Sequence, residues 1–416
     1  MPRVSKITAI SAALAAGLIA GRAQAQELVV APTGPYTTIT AAVRAVRPGG
    51  TIRIRSGAYQ EPTIVVRVPG ITILGEGWPR LDGAGAREIL QIRADSVTVR
   101  GLEFANTGTS QMEDRSALRV TDVEGCTIAD NRFRAALFAI YLERATGCLV
   151  RGNDIRGTGG EETRNGNGVH LWYSPHNRVE NNQVRGQRDG IYFEFSRGVV
   201  ATGNLSEGNR RYGLHFMFSD SCRYERNTFR GNGAGVAVMY SKVIVMEGNA
   251  FLSARGSAGY GLLLKDITDG AIIGNRFEEN STGLFLEGAS RLDIRDNDFR
   301  RNGWAVRLMA SAEESRFRGN LFAGNAFDVS TNSRNLNSDF EGNWWDSYRG
   351  YDLDRDGAGD VPFRPVRLFA LVVEKHPEAL LLLRSPVVAV LDAAERVFPV
   401  LTPALADPRP LMRAPR

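Results

Sequence analysis

An asparagine recurs down most of this chain at a near-constant period, usually with an apolar side chain two residues after it. The units are Asn131-Arg-Phe133, Asn153-Asp-Ile155, Asn182-Gln-Val184, Asn204-Leu-Ser206, Asn227-Thr-Phe229, Asn249-Ala-Phe251, Asn275-Arg-Phe277, Asn297-Asp-Phe299, Asn320-Leu-Phe322 and Asn343-Trp-Trp345. Their intervals are 22, 29, 22, 23, 22, 26, 22, 23 and 23 residues, and a second asparagine follows five residues later at Asn209, Asn232, Asn280, Asn302 and Asn325. A repeat of this length cannot bury a hydrophobic face alone, so neighbouring units must stack into a solenoid, one coil per repeat.

Alternation within each unit selects the kind of solenoid. Gly168-Val-His-Leu-Trp172, Gly213-Leu-His-Phe-Met217, Gly235-Val-Ala-Val-Met239 and Gly283-Leu-Phe-Leu-Glu287 read as strands with one buried face. Asparagine tolerates the left-handed conformation of a sharp corner, and stacked amides can hydrogen-bond along the axis. The Leu-x-x-Leu-x-Leu register of a leucine-rich horseshoe is absent. The expectation is an all-β chain: a right-handed parallel β-helix with an N-terminal cap and a C-terminal helical segment.

The ends read separately from the coils. Arg3 and Lys6 precede the apolar run Ile7–Ala20, and Ala23-Gln-Ala25 fits a small-x-small cleavage site, so residues 1–25 read as a secretory signal and the mature chain as periplasmic. Cleavage would remove Arg3, Lys6 and Arg22 and no acid, leaving 48 basic against 46 acidic side chains in place of the formal +5. With no basic block interleaved with aromatics, nucleic acid is excluded as a partner. Residues 26–61 form a capping module: Ile39, Ala42, Val43 and Val46 share a helical face, Pro48-Gly-Gly50 stops the helix, and the strand Thr51–Arg55 follows. Coils occupy 62–345, with insertions near Gly157–Gly166 and Ala254–Gly259. An Asp-rich terminating loop covers 346–362. Residues 363–416 hold a Leu/Val/Ala-rich helical stretch, roughly Phe369–Val397, interrupted by Arg384 and Pro386. That stretch does not span a bilayer and reads either as a cap or as a docking surface for a membrane partner. Cys126, Cys148 and Cys222 each precede their repeat asparagine by five residues, a column read as a buried thiol ladder, because in-register parallel strands are a poor setting for a disulfide.

Three segments carry a resemblance. Gly166-Asn-Gly-Val-His-Leu-Trp-Tyr-Ser-Pro-His-Asn177, Tyr212-Gly-Leu-His-Phe-Met-Phe-Ser219 and the terminal Trp344-Trp-Asp-Ser-Tyr-Arg-Gly-Tyr-Asp-Leu-Asp-Arg-Asp-Gly-Ala-Gly-Asp360 resemble the NosD family of nitrous oxide reductase maturation proteins. The likeness covers essentially the whole chain. It implies a non-enzymatic periplasmic role in assembling the copper–sulfur centre of nitrous oxide reductase. It also implies a complex with an ABC-type permease and ATPase, receipt of copper from a chaperone lipoprotein, and membrane association only through partners.

The residues offer their own metal chemistry. Twelve residues before each repeat asparagine stand Tyr141, His170, Tyr192, His215, Ala237 and Leu263, and ten before it stand Glu143, Trp172, Glu194, Met217, Met239 and Lys265. The intervening Val169/Leu171, Ile191/Phe193, Leu214/Phe216 and Val236/Val238 form the buried set, so both columns face outward. Adjacent coils lie about 4.8 Å apart, which gathers His215, Met217, Met239 and Glu194, with His170 two coils away. Imidazole and thioether suit copper, with soft sulfur favouring Cu(I). The alternatives are a protein-contact surface, which can be the same surface as a copper site, and no role at all. Asp352, Asp354, Asp356, Gly357 and Asp360 copy the first half of a calcium loop, but position twelve is Phe363 where a bidentate Glu is needed; a solvated Asx-turn is the alternative. Glu143, Glu194 and Glu287 share an outward column, yet no paired-carboxylate series of a pectinase kind occurs. Glycan binding, or polysaccharide lysis or hydrolysis, is the second functional reading.

Overall fold

Most repeats fold into three short strands (Tyr260–Ile273 runs the first two together in its coil), and the strands pair in parallel with their counterparts one coil along. In one coil these are Tyr212–Met217, Arg223–Glu225 and Thr228–Arg230. A computed structural model of the protein describes residues 26–110, 112–159, 165–333, 337–397 and 405–415. Within them the strands form a 25-stranded and a 13-stranded sheet, wound as a right-handed parallel β-solenoid of about 13 turns. The expected signal segment, residues 1–25, lies outside the described residues, as do residues 160–164 of the first insertion.

Why asparagine repeats is visible in the hydrogen bonds. Asn227 donates its backbone N–H (3.0 Å) and its amide Nδ2 (3.0 Å) to Oδ1 of Asn249, while the same Nδ2 reaches the carbonyl of Ala201 at 2.9 Å. Asn131 through Asn320 all repeat this, so a fully buried polar column is fully satisfied, as burial demands. The left-handed residue at this corner is the one before the asparagine: Asp130, Asn181, Arg226, Asp296 and several glycines, among them Gly203 (φ 65°). Backbone tolerance is therefore not what the repeat asparagine supplies; its amide is. Two residues on, the rings of Phe229, Phe251, Phe277, Phe299, Phe322 and Trp345 stack along the axis at 4.1–5.6 Å between centroids.

Both ends are closed. Helix α1 (Ile39–Ala45) buries Ile39, Ala42 and Val43, and Thr38 caps it. The Glu61 carboxylate accepts from the N–H groups of Ile39 and Thr40 at 2.7 and 2.9 Å, where the positive end of the helix favours an anion. At the other end α2 (Leu368–Lys375), a 3-10 turn (Pro377–Leu382) and α3 (Pro386–Val397) fold back. Phe327, Phe369, Ala370 and Val373 make a small second core, against which Leu380, Leu383, Val388 and Leu391 pack. Part of this apolar stretch is thus a cap; Leu381, Leu382, Val387 and Val390 are left exposed. No helix among the described residues is long and apolar enough to cross a membrane.

The thiol-ladder expectation fails for two of the three cysteines. Cys126 and Cys148 form a disulfide, their Cα atoms 4.5 Å apart on successive coils, at the short end of the range such a bond spans. Cys222 is a free, buried thiol, pushed up to about 12 by burial.

Candidate functional site

The outward columns have the register expected of them. Tyr141, His170, Tyr192, His215 and Ala237 pair in sequence across five coils, and so do Glu143, Trp172, Glu194, Met217 and Met239. Alternate residues Leu171, Phe193, Phe216 and Val238 are at most 1% exposed, so they fill the interior and fix the His/Met columns on the outer face.

The outer face is not open at the imidazoles, however. His170 and His215 are only 8% and 5% exposed. Tyr141 and Tyr192 flank His170 at ring-centroid distances of 4.3 and 4.8 Å, with Phe138 at 5.4 Å. Tyr192 and Tyr212 flank His215 at 5.1 and 4.6 Å. Large rings standing side by side in neighbouring coils cover what the strand parity turns outward. The expected open, solvent-facing ligand set is corrected to one with recessed imidazoles and half-buried thioethers.

The two histidines differ in chemistry. His170 Nδ1 lies 2.9 Å from the amide Nδ2 of Asn167. Burial, followed by the charges of Arg188 and Arg119, pushes the His170 imidazole down to about 3, so it is neutral at ordinary pH. Among the described residues His215 has no hydrogen-bond partner on either ring nitrogen; Asp189 Oδ2 also lacks one but lies 3.8 Å from Arg188 Nε in an ion pair. His215 and Asp189 stand 4.0 Å apart, with Asp189 only 1% exposed. Met217 and Met239 are direct cross-coil neighbours, Glu194 pairs with Met217 on the other side, and Tyr192 separates His170 from His215. The structure therefore brings together His215, Met217, Met239 and Glu194, and leaves His170 outside that group.

The Asp-rich loop gathers Asp352, Asp354 and Asp356, with one carboxylate oxygen of each within 4.8 Å of the others. Asp360 is not in that group; its carboxylate accepts from the N–H of Leu353 at 2.7 Å. Of the three in it, Asp352 accepts from Gly357 N–H at 3.0 Å through Oδ2 while its Oδ1 makes no hydrogen bond among the described residues, Asp354 accepts from Asp356 N–H at 3.3 Å, Asp356 accepts from Ala358 N–H at 2.8 Å, and Arg409 pairs with Asp356. These Asx-turn contacts occupy one oxygen of each carboxylate and leave the other, and three carboxylates offering one oxygen each supply fewer oxygens than the 6–8 that calcium takes.

Two features escaped the sequence reading. Asp407, from the tail beyond α3, is completely buried and accepts from the N–H groups of Gly342 (3.0 Å) and Asn343 (2.9 Å), from Asn343 Nδ2 (3.1 Å) and from the Trp345 indole (3.1 Å). It stands where the next asparagine would be. Nothing in its local sequence marks it. The second is a row of surface rings, Tyr173, Phe195, Phe218 and Tyr240, each immediately after the Trp/Glu/Met/Met column. Listing the residue nine before each repeat asparagine would have found it.

Comparison with known proteins follows the same lines. Residues 155–350 match the model of a family described as periplasmic copper-binding protein (NosD). A protein of Pseudomonas aeruginosa named probable ABC transporter binding protein NosD is 34% identical over 360 residues, covering 82% of this chain and 83% of that protein. Its namesake in Stutzerimonas stutzeri is 30% identical over 390 residues, covering 87% of each. Among solved structures, the Dettilon tailspike protein matches 74% of this chain and 69% of its own with a TM-score of 0.55 at 14% identity. PfbA, a surface adhesin of Streptococcus pneumoniae, matches 73% and 85% with a TM-score of 0.50 at 11% identity. Those two likenesses are of fold alone. By identity and coverage of its relatives, the chain belongs to the NosD family.

Proposed function

We propose that this protein is a periplasmic, non-enzymatic accessory factor for assembling the copper–sulfur centre of nitrous oxide reductase. In this reading it receives or hands on copper and works with an ABC-type permease and ATPase, a copper chaperone lipoprotein and the reductase itself. The observation that carries it is the pairing of Met217 with Met239 on neighbouring coils beside the imidazole of His215, whose ring nitrogens make no hydrogen bond among the described residues. Two thioethers and an imidazole are soft-to-borderline donors that prefer Cu(I), and Glu194 adds little for that ion. Half-buried thioethers over a recessed imidazole suit an ion that is passed on, since a storage site closes all its positions. The description of the family and the names of its relatives point the same way. Calcium is no part of this reading, since Asp352, Asp354 and Asp356 alone supply fewer oxygens than that ion takes.

The enzymatic alternative has one structural feature to recommend it. A cleft of about 590 Å³ lies at the N-terminal end of the same outer face, lined by Glu88, Arg119, Glu143 and Arg144 among others. Glycoside hydrolysis needs one carboxyl kept protonated near neutral pH. Burial pushes the Glu88 carboxyl up, but the charge of Arg119 (2.7 Å away) and hydrogen bonds from Gln91, Arg119 and Ser116 outweigh it and hold the group below its ordinary value. Glu88 is therefore an ionised partner for arginine and a poor proton donor.

The test is the triple variant His215→Ala, Met217→Leu, Met239→Leu. It should fold normally, lose Cu(I) binding as the isolated protein, and leave nitrous oxide reductase short of copper and activity in cells that carry it. Reductase with normal copper content from such cells would reject the site.

A further inference from the structure

The residue after each member of the Glu143–Glu287 column turns a corner with positive φ in every coil. In flanking coils that position holds Arg144, Asp266 and Gly288. In the four central coils it holds Tyr173 (φ 48°), Phe195 (50°), Phe218 (48°) and Tyr240 (53°). Left-handed backbone is least tolerant of bulky side chains, and exposed rings lose the benefit of burial. All four rings are nevertheless between 40% and 47% exposed. The corner does not need them: the N–H groups of Tyr173, Phe195 and Phe218 simply continue the coil-to-coil hydrogen bonding, to Glu194, Met217 and Met239 carbonyls. Among the described residues, exposed rings at this corner of the coil thus occur only in the central coils that carry the His/Met group.

Their geometry narrows what they contact. Successive rings are 4.8, 5.2 and 5.1 Å apart with interplanar angles of 18°, 8° and 11°. Phe195 and Phe218 have a ring on each face, so what they present to solvent is their edges. A sugar packs its C–H groups against an open aromatic face, and the inner rings have none to offer. Ring edges carry the positive end of the aromatic quadrupole and attract electron-rich atoms, with thioether sulfur a frequent edge partner. Met217 and Met239 immediately precede Phe218 and Tyr240.

We infer that this stacked aromatic ladder is the docking strip for a methionine-bearing segment of a copper-carrying protein, whose thioethers seat on the ring edges next to Met217 and Met239. This rests on the copper reading above. It adds the partner's chemistry: copper moves between thioethers held side by side, with one set of sulfur–ring contacts guiding both. A second copy of this chain is the competing occupant.

The experiment uses the full chain and a synthetic peptide with two Met-x-x-Met pairs, alongside a norleucine version of the same length and hydrophobicity. The methionine peptide should bind roughly tenfold more tightly than the norleucine one, the size expected of two or so sulfur–ring contacts. Phe195→Asn with Phe218→Asn, asparagine being at ease in left-handed backbone, should abolish that difference and leave thermal midpoint and Cu(I) affinity at wild-type values. Met217→Leu with Met239→Leu should keep peptide docking and lose acceptance of Cu(I) from the loaded peptide. Equal binding of the two peptides overturns the thioether assignment, and unchanged docking by the Phe195/Phe218 variant overturns the ladder as its seat. Concentration-dependent dimers of wild type that vanish in that variant would give the strip to a second copy. Peptide docking on the ladder with unimpaired Cu(I) acceptance by the methionine variant would support the strip and sink only the copper site at Met217 and Met239.

Discussion

Phe216 and Met217 are neighbours on one strand and belong to different regimes. Phe216 is wholly buried, its ring 6.1 Å from Phe193 and 5.8 Å from Tyr224, in a wall where each coil supplies the same kind of residue. Met217, one residue on, is half-buried on the outer face, and its column changes character from coil to coil: Glu, Trp, Glu, Met, Met, Lys. The inner columns are uniform because stacking coils must match one another; the outer ones are free to vary. Where the outer columns concentrate rings, sulfur and imidazole over four coils, stability does not account for the choice.

The largest effect expected from breaking that contrast is on the inside. Phe216→Ala should cost about 3–5 kcal/mol, since a wall held on either side by Phe193 and Val238 of the neighbouring coils cannot collapse into the cavity. Met217→Leu should stay within about 1 kcal/mol, a near-isosteric change at a partly exposed position. Urea midpoints of the two single variants check this. Equal midpoints would mean that the two columns are not physically distinct.

Most of the wall was legible in the sequence because each repeat samples it again. Ten asparagines and the alternation around Val169/Leu171 or Leu214/Phe216 gave fold, parity and register together. The accessibility of the site was not legible. Parity places His170 and His215 on the outer face, but their covering depends on rings from neighbouring coils and from Tyr212, a relation between columns that no single repeat displays. The closure by Asp407 was missed for a related reason: it occurs once, so the repeat offers no second copy from which to read it. The Cys126–Cys148 disulfide was missed because the column was placed within paired strands, whereas both cysteines stand at the corner just before Thr127–Ala129 and Leu149–Arg151. The leader, residues 1–25, and the division of the chain into segments remain readings of the sequence.

Asp407 gives the next effect in size, and it compares an end of the ladder with its middle. Inside the ladder each amide is answered by an identical amide; at Asn343 the answer comes from a carboxylate 64 residues further along. Asp407→Ala would strand the buried donors of Asn343 and Trp345, each costing on the order of 1–3 kcal/mol before relaxation, so a loss of about 2–4 kcal/mol is expected. Asp407→Asn would restore an acceptor like those in every other rung and should recover more than half of it. Thermal midpoints of both variants check the ordering; an alanine variant as stable as the asparagine one would mean that the tail does not close the ladder. Cutting the chain after Asp360 removes this residue, so truncation cannot separate partner docking from loss of the cap.

The smallest effect sharpens the comparison between the central coils and the C-terminal closure, through two buried groups that titrate in opposite senses. Burial, with the Asp346 charge second, pushes the Asp328 carboxyl up to about 6, although Arg367 and a hydrogen bond from Asn325 (3.3 Å) act the other way. Its folded value lies above its unfolded one, so its contribution is fully present below about pH 3.8 and is lost as pH rises through 6. His170, pushed down to about 3, runs oppositely: its contribution is present above its unfolded value of 6.5 and is lost on acidification below it. Between about pH 4 and 6 the two slopes, each near 1.4 kcal/mol per pH unit, oppose one another. Asp328→Asn should therefore gain about 1–3 kcal/mol at pH 7.5, where wild type must bury a charge, and gain little at pH 4, where the carboxyl is already protonated. With one of the opposing slopes gone, the variant should also lose stability more steeply than wild type between pH 6 and 4. Urea midpoints of the two proteins at pH 7.5, 6, 5 and 4 measure this directly. A gain of the same size at every pH would show that Asp328 is not the group titrating there, and that the closure responds to acid no differently from the coils that carry the histidines.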